Sequence, residues 1–517
     1  MNKLKTACLL AAIVSSSASF AGGLLTNTNQ NIAFNRMMSR EASIGIDGVY
    51  YNPAGVVFMG EGHHLSINWQ LAYQTRTINN DYELFYNNVK NPTTPRDFKG
   101  EAFAPVIPSF QYAYNKGRWS FQGNFALTGG GGKCTFDNGL GSFEKIVAET
   151  AMAASQLATG IDRVASAYHV PNIFSTNAVF GTDGKYSFDS YMHGRQYYFG
   201  LSVGAAYKVT DNFSAYAGVR GLYATSNYYG YVRDIKVGNM PLYQVLDATK
   251  TYAADIELSC DQNGIGFTPI IGIDFKTGRW NFSAKYEFKT RMRLKNKAVN
   301  QSPSIGNLPN NLYAAYIKNG VSDATARAIL GNDAIKGAML QLKGQFDKEL
   351  DHAIGEYEDG KKIAADIPAY LSLGAGYSPI DALRINVGFH WFDDKNATSY
   401  NNRNKLLDRG TLEYNAGVEY DVNKKITVSG GWQNTSYGLS DEYMEDRSFV
   451  VNSNSVALGG VWHINKKMDL NVAYFHTFYD HKKTSEQLNT GAANAPTYKA
   501  DYTRNNNVFG VGLDIHF

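Results

Sequence analysis

The chain reads as an all-β protein: a transmembrane antiparallel barrel of about fourteen strands, with an N-terminal hatch in its lumen. Three observations predict this. Long segments alternate apolar and polar residues, short turns alternate with long links, and the chain ends on an alternating strand closed by Phe517. Period two puts one set of side chains on each face of a sheet. Closure into a barrel leaves no sheet edge, so every backbone group finds a partner in lipid.

Residues 1–21 read as a secretory signal peptide. Lys3 and Lys5 precede the apolar run at 7–14, and Ser19, Phe20 and Ala21 form a small-x-small cleavage site. Cys8 follows Lys5-Thr6-Ala7 too early for a lipoprotein signal. The rest divides into a hatch at 22–62 and a barrel at 63–517. The hatch centres on Ser43 to Gly55. It holds Ile44, Ile46, Val49, Val56 and Val57 between Gly and Pro residues, and has no partner of its own. Such a segment needs another structure to hold it.

From His63 the alternation is regular. Leu65, Ile67, Trp69, Leu71 and Tyr73 form one apolar row. Others are Trp119, Phe121, Phe125, Leu127; Tyr197, Phe199, Leu201, Val203; Leu383, Ile385, Val387, Phe389, Trp391; and Leu412, Tyr414, Ala416, Val418, Tyr420. The segments exceed the ~5–6 residues typical of soluble strands and meet the ~9–11 that cross a bilayer at a tilt. Tight turns fall near 114–118, 208–212, 276–279, 378–381, 421–424 and 464–467. Longer links fall around 79–99, 129–190, 237–250, 295–363, 395–409, 440–448 and 481–498. Short turns on one side and long loops on the other are the habit of outer-membrane barrels. In the last strand Phe509, Val511, Leu513, Ile515 and Phe517 share a face.

Two links carry helical spacing: Phe143, Ile146, Val147, Leu157, Ile161 and Val164, then Ile335, Met339, Leu342, Phe346, Leu350 and Ile354. They read as loop helices packed on the rim, or as a landing groove for an apolar ligand. The seventh strand has Trp280, Phe282, Ala284, Tyr286 and Phe288 on one face. Lys285, Glu287, Lys289, Arg291 and Arg293 take the other. A Lys or Arg facing mid-bilayer lipid costs ~2–4 kcal/mol, so this row is expected in the lumen, with Arg76, Arg220, Arg384, His390 and Glu413. There the charges pair with each other and the hatch, or Lys285, Lys289, Arg291 and Arg293 receive a ligand carboxylate.

Other chemistry is poorly represented. The net charge of +3 drops to +1 without Lys3 and Lys5, which does not suit nucleic acid. Cys134 and Cys260 can pair or stay free, but make neither a disulfide scaffold nor a metal site. Gly129 to Gly132 with Lys133 lacks the leading Gly of a phosphate loop (Leu127) and carries Cys134 in place of Ser or Thr. His193, His352, His390 and His463 show no spacing that pairs one with Ser or Asp. No catalytic residue, cofactor or metal is expected.

The chain resembles the FadL family of outer-membrane transporters for long-chain fatty acids and other hydrophobic compounds. The resemblance lies in Asn52-Pro53-Ala54-Gly55, in the preceding stretch from Ala42 to Tyr51, and in the architecture of the whole mature chain. It implies a fourteen-stranded barrel, an N-terminal hatch gated at Asn52 to Gly55, and a lateral opening where the third strand kinks inward. Gly123 marks such a kink or is tolerated for packing; Gly129 to Gly132 follow it. The function expected is passive uptake of a long-chain fatty acid or other hydrophobic molecule by a monomer in the bacterial outer membrane, with sideways exit into membrane lipid. A general diffusion porin is the alternative, and an enzyme a distant third.

Overall fold

Burial alternates along the strands as the residue types do. In the first strand Ser66, Asn68, Gln70 and Gln74 are buried while Ile67, Trp69 and Tyr73 are exposed. The computed structural model describes residues 24–176, 178–340, 343, 355–488 and 495–517. The expected signal peptide lies outside the described residues, as do Leu342, Phe346, Leu350, His352 and Ile354.

Fourteen antiparallel strands build the wall. They are β1 (Gly62–Asp81), β2 (Arg96–Lys116), β3 (Trp119–Phe136), β4 (Tyr186–Lys208), β5 (Phe213–Val237), β6 (Ile256–Thr277) and β7 (Trp280–Glu287). The second half is β8 (Tyr370–Ile380), β9 (Leu383–Phe392), β10 (Arg409–Asn423), β11 (Ile426–Gly438), β12 (Ser453–Asn465), β13 (Met468–Tyr479) and β14 (Thr497–His516). Each pairs with the next, and β14 returns to β1 in register from His64 opposite His516 to Asp81 opposite Lys499, closing the barrel. Further pieces at Met240–Pro241, Arg293–Gln301, Lys362–Ala364 and Lys482–Gln487 extend the wall. Short turns occupy 117–118, 209–212, 278–279, 381–382, 424–425 and 466–467; long links occupy the opposite end. No helix among the described residues is long and apolar enough to cross a membrane.

The glycine-rich stretch at 129–132, expected in a link, is strand: β3 runs on to Phe136. The loop helices differ in how they bury. Helix Gly141–Ser166 sinks Phe143, Ile146, Val147 and Ile161 into a core that roofs the barrel, with Leu157 and Val164 against it. Residues 333–340 are helical and bury Ile335 and Met339. Cys134 and Cys260 are buried and free.

Residues 24–61 fill the lumen. Short helices α1 (Ile32–Asn35) and α2 (Gly48–Tyr51) give them local structure. The wall makes room for this segment with glycine. Gly417 and Gly431 face each other on β10 and β11, and a methyl group on either would run into Met37.

Candidate functional site

The hatch motif is tied to three wall strands. Asn52 Nδ2 donates to Asp274 on β6 at 2.6 Å. The Pro53 carbonyl accepts from Gln122 Nε2 on β3 at 2.8 Å, and the Ala54 carbonyl from Ser214 Oγ on β5 at 2.7 Å. Asn52 Oδ1 accepts from the Gly55 N–H at 3.1 Å. That turn brings the Asn52 side chain over Gly55, where a Cβ would lie 2.4 Å from its amide nitrogen.

Charges on the hatch are matched by the wall. Arg36 meets Glu419 at 2.5 Å; Arg40 meets Glu419 at 3.0 Å and grips Asp47 at 2.7 Å. His390 on β9 stands between Glu41 of the hatch (2.7 Å) and Glu413 of β10 (2.8 Å), all three fully buried. Lys285 Nζ donates to the Tyr50 carbonyl at 2.7 Å and to Glu287 at 3.0 Å, while Arg220 takes Glu287 in a two-point pair. The charges of this part of the lumen thus have protein partners.

The rest of the expected row on the seventh strand turns away. Ile270 faces Glu287, yet Asn263 faces Lys295, so one extra residue lies on the Glu287 side. A one-residue bulge moves every following side chain to the other face. Lys289, Arg291 and Arg293 are exposed, and Thr290, Met292 and Leu294 are buried instead. Lys289 donates to the Asn396 carbonyl at 3.1 Å, and Arg293 pairs with Asp366 at 2.6 Å. The four cations do not form one row.

Gly123 does not mark a kink. It pairs regularly with Tyr112 and Val203. The break lies further along. Ala102 faces Cys134 and Ser109 faces Ala126, but the residues between are out of ladder register across β2 and β3. Pro105 and Pro108 remove two N–H donors from this stretch of β2. Bulges shift β3 against β4 between Leu127 and Gly129 and again between Gly131 and Cys134. In place of β2, β3 takes the start of the hatch as partner. Thr26 bridges to Gly129, the Asn27 N–H donates to the Thr128 carbonyl at 2.9 Å, and Asn27 Nδ2 to the Leu127 carbonyl at 3.1 Å. Van der Waals contact closes the seam, since a Cβ on Gly132 would lie 3.3 Å from that of Ala104. Inside it, Ile107 and Leu127 pack with Phe34 and Tyr51 of the hatch.

A cavity of about 360 Å³ lies beside the same end of the hatch, with Leu24, Leu25, Tyr198, Leu294, Ile363 and Phe449 among its walls. Asp394 at its edge is 2% exposed and accepts from the Leu24 N–H at 3.2 Å and the Thr411 N–H at 2.8 Å. Burial pushes its carboxyl up to about 6. Among the described residues no group of His, Cys, Asp and Glu has metal-binding geometry.

Residues 11–517 match the family of outer-membrane transport proteins described as OMPP1/FadL/TodX. The chain belongs to that family. It is therefore an outer-membrane β-barrel that transports hydrophobic compounds, and a transport channel in place of an enzyme. Among solved structures it is similar to a Pseudomonas aeruginosa FadL homologue (16% identity, 96% of this chain and 100% of that one, TM-score 0.60). It is also similar to the Pseudomonas putida toluene transporter TodX (13% identity, 96% and 100%, TM-score 0.50). No curated protein sequence matches it. In this transporter the hatch motif was readable from Asn52 to Gly55, but its anchors Gln122, Ser214 and Asp274 were not. They are ordinary polar residues on the inward face of strands. Pro105 and Pro108, in an otherwise alternating strand, were the available signal for the seam.

Proposed function

We propose that this family member takes up a long-chain fatty acid or similar apolar molecule by passive diffusion, as a monomer, with residues 22–62 as the hatch and 63–517 as the barrel. Ligand enters the cavity from the loop side and displaces the start of the hatch. It leaves sideways between β2 and β3 into the outer leaflet. The observation that carries this reading is the double engagement of residues 24–27, which line the cavity at Leu24 and Leu25 and hold β3 at Thr26 and Asn27. Occupying the cavity and releasing β3 are thus one displacement. Opening the seam breaks no β2–β3 ladder between Ala102 and Ser109, so its cost lies mainly in apolar contact. Asn52 to Gly55 hold the far end of the hatch fixed. Lys285 braces the hatch through Tyr50, and Lys289, Arg291 and Arg293 act outside the lumen route.

A disulfide across the seam tests the route. Ala104→Cys with Gly132→Cys, in a Cys134→Ala background, brings two Cβ atoms near the spacing a disulfide requires. The oxidised barrel should take up labelled fatty acid at least tenfold more slowly in liposomes, with recovery on reduction. Unchanged uptake in the crosslinked barrel would rule out the seam. Rapid swelling of the same liposomes in small sugars would favour a general diffusion porin.

A further inference from the structure

Arg76 is the largest fully buried side chain among the described residues, at 1% exposure. It stands on β1 directly opposite Arg504 on β14. Like charges in opposed strand positions repel, and burial strengthens the repulsion because no water screens it. Arg36, Arg40, Arg220 and Lys285, the buried cations that touch the hatch or its braces, each have a carboxylate partner. Among the described residues Arg76 has none: its Nε, Nη1 and Nη2 are all buried without a hydrogen-bond partner. Two residues beyond Arg504, on the same face, Asn506 is fully buried with Nδ2 and Oδ1 both unpartnered. Arg504 donates to Gln74 at 2.7 Å and lies 5.1 Å from the Tyr479 ring. Phe449, which lines the cavity, stands 5.8 Å from the Arg76 guanidinium.

We infer that Arg76 and Asn506, with the charge of Arg504, receive an anionic head group such as a carboxylate. The ligand's apolar chain lies in the neighbouring cavity. A guanidinium fork offers paired donors to a planar anion, and a bound anion cancels the repulsion between the two arginines. This inference rests on the transport reading above. It moves the polar end of the ligand from the seventh strand to the β1–β14 closure.

The test is calorimetric titration of the detergent-solubilised full chain with decanoate, decanol and acetate, repeated on Arg76→Met. Decanoate should bind the unmodified protein at least tenfold tighter than decanol. Arg76→Met should remove that preference and leave decanol unchanged. Acetate that binds the unmodified protein but not Arg76→Met identifies the same site filled by a free anion; inert acetate assigns it to the head group of an amphiphile. Equal decanoate affinity in both proteins overturns the site. Should Arg76→Met not fold, Asn506→Ala replaces it, and the unmodified protein must still melt higher in decanoate than in decanol; equal melting overturns the site. Failure of decanol and decanoate alike to bind would instead count against the transport reading.

Discussion

Asn52 shows how far one side chain reaches. Its amide spans from Asp274 on the wall to the Gly55 N–H within the hatch. Asn52→Ala leaves a buried carboxylate short of a donor, at a cost of ~1–3 kcal/mol. The expected result is leakage of small sugars from liposomes while heat-modifiable gel mobility stays that of a folded barrel; a tight barrel would show that the other anchors suffice. Asp394 gives a pH prediction. Its folded pKa lies above the unfolded value, so its contribution to stability is complete below about pH 4 and is lost as pH rises through about 6. Asp394→Asn, which does not titrate, should therefore lose less stability than the unmodified protein between pH 4 and pH 8, by up to about 3 kcal/mol. Parallel pH profiles would contradict this. The motif at Asn52 was legible because Pro and Gly stand out locally. Asp274 lies 222 residues away in sequence, a distance no local pattern encodes.

At the scale of elements, helix Gly141–Ser166, here α3, is anchored by an acid as well as by its apolar stripe. Glu144 pairs with Arg96 and accepts from Asn88 at 2.8 Å and Tyr186 at 2.9 Å. Removing one partner of a buried ion pair costs ~3–5 kcal/mol. Glu144→Ala should expose the 137–185 link to protease in intact vesicles, and the barrel below should keep its gel mobility. Resistance equal to the unmodified protein would mean that apolar packing alone docks the helix. Strands and their turns were readable because alternation is a local property. It fails where a bulge changes phase: the row of Lys285 and Glu287 does not continue to Arg293, because of a slip that only the partner β6 reveals. The kink expected at Gly123 is absent, and the register break lies between Ala102 and Ser109 of β2, for the same reason. A glycine in a strand is visible in the sequence, whereas lost register between two strands belongs to the pair.

For the whole molecule, the barrel class followed from period, turn rhythm and the final strand, all written along the chain. The contents of the lumen were not, because hatch and wall meet only when the sheet closes. Asn27 holds Leu127, Asn52 holds Asp274, Glu41 holds His390, and Arg36 holds Asn471. These partners span most of the polypeptide, so no fragment of the barrel offers the hatch its full seat. The cost of closing such long loops comes before any of these contacts can offset it. Residues 24–61 therefore gain their full set of contacts only once the wall is closed. Until then Phe34, Tyr50 and Tyr51 lack the packing that buries them. A barrel short of any one of the strands that cover them leaves those aromatic residues open to solvent.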